Sequence, residues 1–179
     1  MAPSESGTLK SLELAIQTEM DGKKFYEEAR AKASNPLAKS LFTALGKEEL
    51  YHVEIIQRFH KELQEKGEWP EVEVAQEHRD FPGVVKTVFQ EAMEHFDQEV
   101  PVDGDALEAY KMAMDLEQRA YNMYKRLKSE TTDDRARKLY AFMEIQENQH
   151  YTFLEDSYKY LSNPLEFFDE EHYPHFEGA

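Results

Sequence analysis

The chain has 179 residues, 37 acidic and 21 basic, with a formal net charge of −16. That length suits one domain with a single substantial core, and a surface so acidic repels nucleic-acid phosphates and anionic lipid. There is no cysteine, which excludes disulfides, thiolate catalysis, zinc–thiolate sites and any iron–sulfur centre held by these residues alone.

Met1 to Thr8 is short and polar and lacks the apolar core of a signal peptide. No apolar run approaches the roughly 20 residues that span a bilayer, so a cytoplasmic protein with no membrane partner is expected. A first helix is predicted over 8–34. Asn35-Pro36 then supplies an N-cap and a first-turn proline for a second helix, which runs to about Lys66 and stops at Gly67. From Glu68 to Gly104 the pattern breaks. Trp69-Pro70 opens a connector, and Pro82 begins a shorter amphipathic stretch with Val85, Val88, Phe89, Ala92 and Phe96 on one stripe. A third long helix is predicted over 105–129 and a turn over 131–134. A fourth helix follows to about Leu161, ended by Ser162-Asn163-Pro164. The tail to Ala179 is acidic and aromatic. The expected organisation is a single domain over 1–179: a helical hairpin at 8–67, a crossover with a short helix at 68–104, a second hairpin at 105–162 and a tail at 163–179.

The two hairpins echo one another. Glu19, Glu49 and His52 recur at Glu117, Glu147 and His150, each displaced by 98 residues. Leu9, Ala15, Tyr26, Ala38, Leu41, Lys61 and Leu63 recur at the same offset. The matched polar residues fall inside apolar stripes. The first helix reads Leu12, Ala15, Glu19, Gly22, Tyr26, Ala29, and the third reads Tyr110, Ala113, Glu117, Ala120, Tyr124, Leu127. The second reads Leu41, Leu45, Glu49, His52, Ile56, Phe59, and the fourth Leu139, Met143, Glu147, His150, Leu154. Residues i and i+3 share a helix face, so each Glu-x-x-His pair points both side chains the same way.

Four carboxylates facing one core are prohibitive if they stay ionised and unpaired. Two divalent cations cancel their charge, and so do two trivalent ions with a bridging oxide. One Glu from each of two helices and Glu-x-x-His from the other two is a known way of building such a site. Glu19, Glu49, His52, Glu117, Glu147 and His150 are therefore the expected metal ligands. Tyr26 and Tyr124 lie seven residues after the first glutamate of their halves, on the same face. They read either as phenols hydrogen-bonded to a ligating carboxylate or as ordinary core aromatics. Glu48 and Glu144 sit beside the stripe and are expected to be solvated or to support the ligands from behind; Asp115 and Glu54 belong to charged faces. His60 could flank the site but is expected at the surface or in packing, and His172 with His175 in the tail is expected to be incidental.

On these residues the chain resembles the rubrerythrin-like branch of the ferritin-like di-iron proteins. The matching motifs are Ala15-Ile16-x-x-Glu19 leading to Phe25-Tyr26, Glu48-Glu49-Leu50-Tyr51-His52, Ala113-x-x-x-Glu117 leading to Tyr124, and Glu147-Asn148-Gln149-His150, within about residues 8–162. The fold expected is all-α, a ferritin-like four-helix bundle from two tandem helical hairpins with a long helix-containing crossover. The resemblance implies a centre of two iron ions that reacts with hydrogen peroxide or dioxygen, and often a homodimer. Two departures stand out. Rubrerythrins carry a four-cysteine rubredoxin-like domain that feeds electrons to the iron, so this chain needs an external donor such as a rubredoxin. They also carry a glutamate three residues after the one on the third helix, where this chain has Ala120. The leading expectation is a di-iron peroxidase. The alternative is an iron-handling ferroxidase or iron-binding protein, and a third reading is a di-iron oxygenase. The same donor set also accepts manganese or zinc.

Overall fold

A computed structural model of the chain describes residues 5–70, 83 and 104–163. Four helices account for almost all of them: α1 (Glu5–Lys32), α2 (Pro36–Lys66), α3 (Gly104–Glu130) and α4 (Asp134–Ser162). The short helix expected from Pro82 to Phe96 lies outside the described residues apart from Gly83, as does the tail from Leu165. No described helix is long and apolar enough to cross a membrane.

Local chemistry sets the helix ends. Asn35 is extended (φ −71°, ψ 130°) and its side chain accepts the Ala38 N–H, while Pro36 opens the first turn. Gly67 ends α2 at φ 71°, the left-handed region, and its N–H bonds to Leu63 O at 2.9 Å. α1 begins three residues earlier than expected, at Glu5, and stops at Lys32. Ala33 and Ser34 then leave the helix so that Asn35 can cap the next one. Asp133, inside the turn expected at 131–134, caps α4 by accepting Arg135 N–H at 2.8 Å and Ala136 N–H at 3.3 Å. Asp133→Ala is expected to cost about 1 kcal/mol and lower the thermal midpoint by about 2–4 °C. Asp133→Asn, which keeps an acceptor, should lose much less in the same calorimetric comparison.

α1 packs along α2 and α3 along α4, giving two antiparallel hairpins. Between hairpins the main contact is α1 against α3. That pair also runs antiparallel: Thr18 meets Met123 and Glu19 meets Tyr124 near one end, whereas Tyr26 meets Glu117 near the other. The result is a four-helix bundle whose hairpins are joined by a long connection.

The core falls into two apolar clusters. One contains Tyr26, Leu41, Phe42, Leu45, Tyr110, Ala113 and Leu154. The other contains Leu12, Ala15, Ile56, Phe59, Trp69, Tyr124, Leu139, Tyr140 and Met143. On every helix the expected ligands lie between members of the two: Glu19 between Ala15 and Tyr26, Glu117 between Ala113 and Ala120, and the Glu-x-x-His pairs between Leu45 and Ile55 and between Met143 and Phe153. A polar layer is thus sealed on both sides by apolar ones. Burial of each large side chain contributes about 1.5–3 kcal/mol and offsets the cost of enclosing the charges.

Candidate metal centre

Glu19 from α1, Glu49 and His52 from α2, Glu117 from α3, and Glu147 and His150 from α4 are all buried. They form two groups whose ligand atoms lie within 4.8 Å of one another. The first is Glu19, Glu49, His52 and Glu147; the second is Glu49, Glu117, Glu147 and His150. Glu49 and Glu147 belong to both. Each group therefore has a carboxylate and an imidazole of its own and a share in two common carboxylates, an arrangement suited to one cation per group with two bridges between them.

The imidazole Nδ1 atoms face the carboxylates. His52 Nδ1 lies 3.0 Å from Glu19 Oε2, 3.3 Å from Glu147 Oε1 and 3.5 Å from Glu49 Oε2. His150 Nδ1 lies 3.5 Å from Glu117 Oε2 and 3.6 Å from Glu49 Oε1. The two rings stack at 5.3 Å with an interplanar angle of 18°. Glu147 Oε1 is buried and makes no hydrogen bond, only its 3.3 Å approach to His52. A cation in either group supplies the missing partner, and the oxygen and nitrogen donors suit iron, manganese or zinc. By this criterion the residues fit a pair of metal ions.

Electrostatics point the same way. Burial, then the neighbouring Glu49 charge, pushes Glu19 up to about 7. Burial, then Glu19, Glu49 and Glu117, holds Glu147 well above the carboxylate range. Burial and the Glu117 charge also push on Glu49, but the nearby imidazoles of His150 and His52 outweigh them and leave it lowered. Burial alone would depress both histidines; contacts with Glu147, Glu19 and Glu49 instead raise His52 well above its usual value, and those with Glu117 and Glu49 raise His150 to about 10. Glu19, Glu49, His52, Glu147 and His150 are close enough to shift one another's protonation. In the protein alone, protons stand where cations would.

The two phenols cross between halves. Tyr26 on α1 donates to Glu117 on α3, and Tyr124 on α3 donates to Glu19 on α1. Burial, followed by the charge of the accepting carboxylate, raises both hydroxyls well above 10. Each tyrosine fixes one oxygen of the other half's glutamate. The sequence placed both rings on the right face but paired neither with the opposite hairpin.

A cavity of about 30 Å³ adjoins the cluster between α1 and α3. Its walls are four matched pairs, Thr18 with Leu116, Glu19 with Glu117, Gly22 with Ala120 and Glu49 with Glu147, so it lies on the pseudo-two-fold axis relating the hairpins. Small residues at 22 and 120 keep it open. A Cβ added at Gly22 would contact Glu49 Cδ at 3.4 Å. One water needs about 10–15 Å³ by this measure, so the space suits a reactant of about two heavy atoms.

Other candidates fall elsewhere. Glu48 is buried, with 6% exposure, rather than solvated, because α2 buries the adjoining Leu41–Ala44–Ile55 stripe as well. Glu144 is half-buried and pairs with Lys128, Asp115 pairs with Arg119 at 2.7 Å and Glu54 is exposed. His60 lies 3.5 Å from Glu13 and in neither metal group. His172 and His175 lie outside the described residues.

A family model described as Rubrerythrin matches residues 10–158. No curated protein and no solved structure matches the chain. The matched span takes in all four helix segments that carry the carboxylate and histidine cluster, and the four-helix arrangement agrees with it; this chain belongs to the rubrerythrin family.

Proposed function

We propose that the protein is a non-haem di-iron oxidoreductase that reduces hydrogen peroxide with electrons from an external donor. The observation that carries this reading is the pair of overlapping carboxylate–histidine groups beside a cavity sized for two heavy atoms. Glu49 and Glu147, common to both groups, would serve both ions, with Glu19 and His52 completing one set and Glu117 and His150 the other. Redox-active ions bound by these residues would supply the electrons for reducing peroxide. The protein's own part is positional. Tyr26 and Tyr124 lock the terminal carboxylates, the apolar clusters on either side exclude bulk water, and Gly22 and Ala120 leave one narrow space against the ligands. Peroxide takes up two electrons and two protons to give two waters. With no cysteine among these residues to hold an iron–sulfur or rubredoxin-type donor, an external donor is part of this proposal. A single domain acting as a cytoplasmic homodimer belongs to the same proposal.

The iron-handling alternative is decided by reactivity. Protein loaded anaerobically is expected to bind about two ions per chain and to be oxidised faster by peroxide than by dioxygen, followed optically after rapid mixing. Faster oxidation by dioxygen would move the assignment to a ferroxidase.

A further inference from the structure

The aromatic rings leading away from the cluster form two unlike branches. In one, Tyr26 stacks on Phe42 with centroids 6.1 Å apart, and Phe42 lies 5.0 Å from Tyr110. In the other, Tyr124 lies 6.5 Å from Tyr140, and Tyr140 lies 6.0 Å from Trp69. All are separations of rings in contact. Phe42 and Tyr140 hold matching places, 98 residues apart. Phenylalanine has no hydroxyl and is oxidised far less readily than tyrosine or tryptophan. The first branch therefore meets a redox-inert ring after one step, whereas every ring of the second can lose an electron.

The second branch also leads outward. Exposure rises from 0% at Tyr124 to 2% at Tyr140 and 7% at Trp69. Trp69 stands two residues beyond Gly67, where α2 has ended. Packing accounts for three rings in this apolar cluster but not for a hydroxyl at position 140. Burial pushes that hydroxyl's pKa up, and a phenylalanine fills the equivalent place in the other half.

We propose that Tyr124, Tyr140 and Trp69 form a one-electron relay between the protein surface and the metal centre, and that the matching Tyr26–Phe42 branch does not. The proposal rests on the redox reading above. In each passage Tyr124 gives one electron to the centre while its phenol proton shifts along the hydrogen bond to Glu19. Tyr140 and then Trp69 pass an electron back to Tyr124, the proton returns from Glu19, and a one-electron donor at the surface re-reduces Trp69. The rings are unchanged after each passage and the donor is oxidised once. Two passages supply the two electrons that, with two protons from solvent, convert one peroxide to two waters. Without a donor the oxidising equivalent runs outward and is left on Trp69.

Two measurements test the relay. Iron-loaded protein is treated with peroxide without a donor, and oxidation of Trp69 is read by peptide mass spectrometry while bound iron is followed optically. Tyr140→Phe should reduce Trp69 oxidation at least about tenfold, equivalent to one decade in rate, with iron oxidation unchanged and melting close to wild type. In metal-free full-length chain, azide radicals generated by pulse radiolysis oxidise the single tryptophan. The tryptophan radical should convert to a tyrosyl radical about tenfold more slowly in Tyr140→Phe and at the wild-type rate in Phe42→Tyr. Equal Trp69 oxidation, or equal radical conversion, in wild type and Tyr140→Phe overturns the relay. If peroxide leaves the bound iron of the wild type unoxidised, the redox reading of the centre fails instead, and the metal-free measurement still decides the relay.

Discussion

Glu49→Ala combined with Glu147→Ala is expected to abolish binding of both metal ions, whereas Glu19→Ala alone should impair chiefly one. The asymmetry follows from membership of the two groups. Glu49 and Glu147 stand in both, and Glu19 and Glu117 in one each. Losing a hydrogen bond that merely supports a ligand costs about 10–100-fold in metal affinity, so losing two shared ligands should cost each ion more than about a hundredfold. Metal analysis after gel filtration of protein given two equivalents of iron reads the result. Retention of two ions by the double variant would sink the ligand assignment. A second measurement separates loss of ligands from loss of fold. Glu147, which burial and its acidic neighbours hold well above the carboxylate range, is kept in the metal-free core by protonation, and removing it relieves a desolvation cost, so metal-free Glu147→Ala should melt above metal-free wild type. A lower midpoint would mean that the apolar layers, not the metals, depend on these side chains.

The buried carboxylate–histidine layer was legible because it violates a pattern. Glutamate in a stripe of Leu, Ala and Tyr demands an explanation, and the equal 98-residue offset of six such residues supplied one. The stripes on α1 and α3 are buried as read from the sequence, apart from half-buried Gly22 at the cavity wall. What the sequence did not show depends on how hairpins meet. The crossed pairing of Tyr26 with Glu117 and Tyr124 with Glu19 requires α1 and α3 to run antiparallel at close range, a relation that no single helix encodes. Of the two places the sequence left open for Glu48, solvated or behind the ligands, burial removes the first. A one-stripe reading of α2 leaves position 48 outside, but this helix buries two neighbouring stripes. The capping role of Asp133 had a visible signal, an acidic residue directly before Asp134-Arg135-Ala136, which the broad turn over 131–134 concealed. Position 140 carried no signal at all until its ring was seen between Tyr124 and Trp69.

The metal-free chain is expected to lose stability as pH rises, and the metal-loaded chain to be protected most where the metal-free chain is weakest. Folding raises Glu19 from 4.5 to about 7 and His150 from 6.5 to about 10, and it raises His52 and Glu147 in the same sense. Glu49 moves the other way, but it is one group against four. A raised folded pKa means that the native state binds more protons than the unfolded chain between the two values. Stability therefore falls with pH across that interval. The histidine contribution is fully present below 6.5 and is lost as pH climbs towards about 10 for His150, and the Glu19 contribution is lost between 4.5 and about 7. Metal reverses the trend because cations displace the same protons, so affinity grows as protons cease to compete. Free metal at about 1,000 times its dissociation constant adds about 4 kcal/mol per site, and each kcal/mol moves the midpoint by about 2–4 °C in a chain of this size. Thermal unfolding of metal-free and metal-loaded protein from about pH 6 to about pH 9 should show the two midpoints diverging. A metal-free midpoint that rises over that range would mean that the buried carboxylates and histidines are not holding protons in the folded chain.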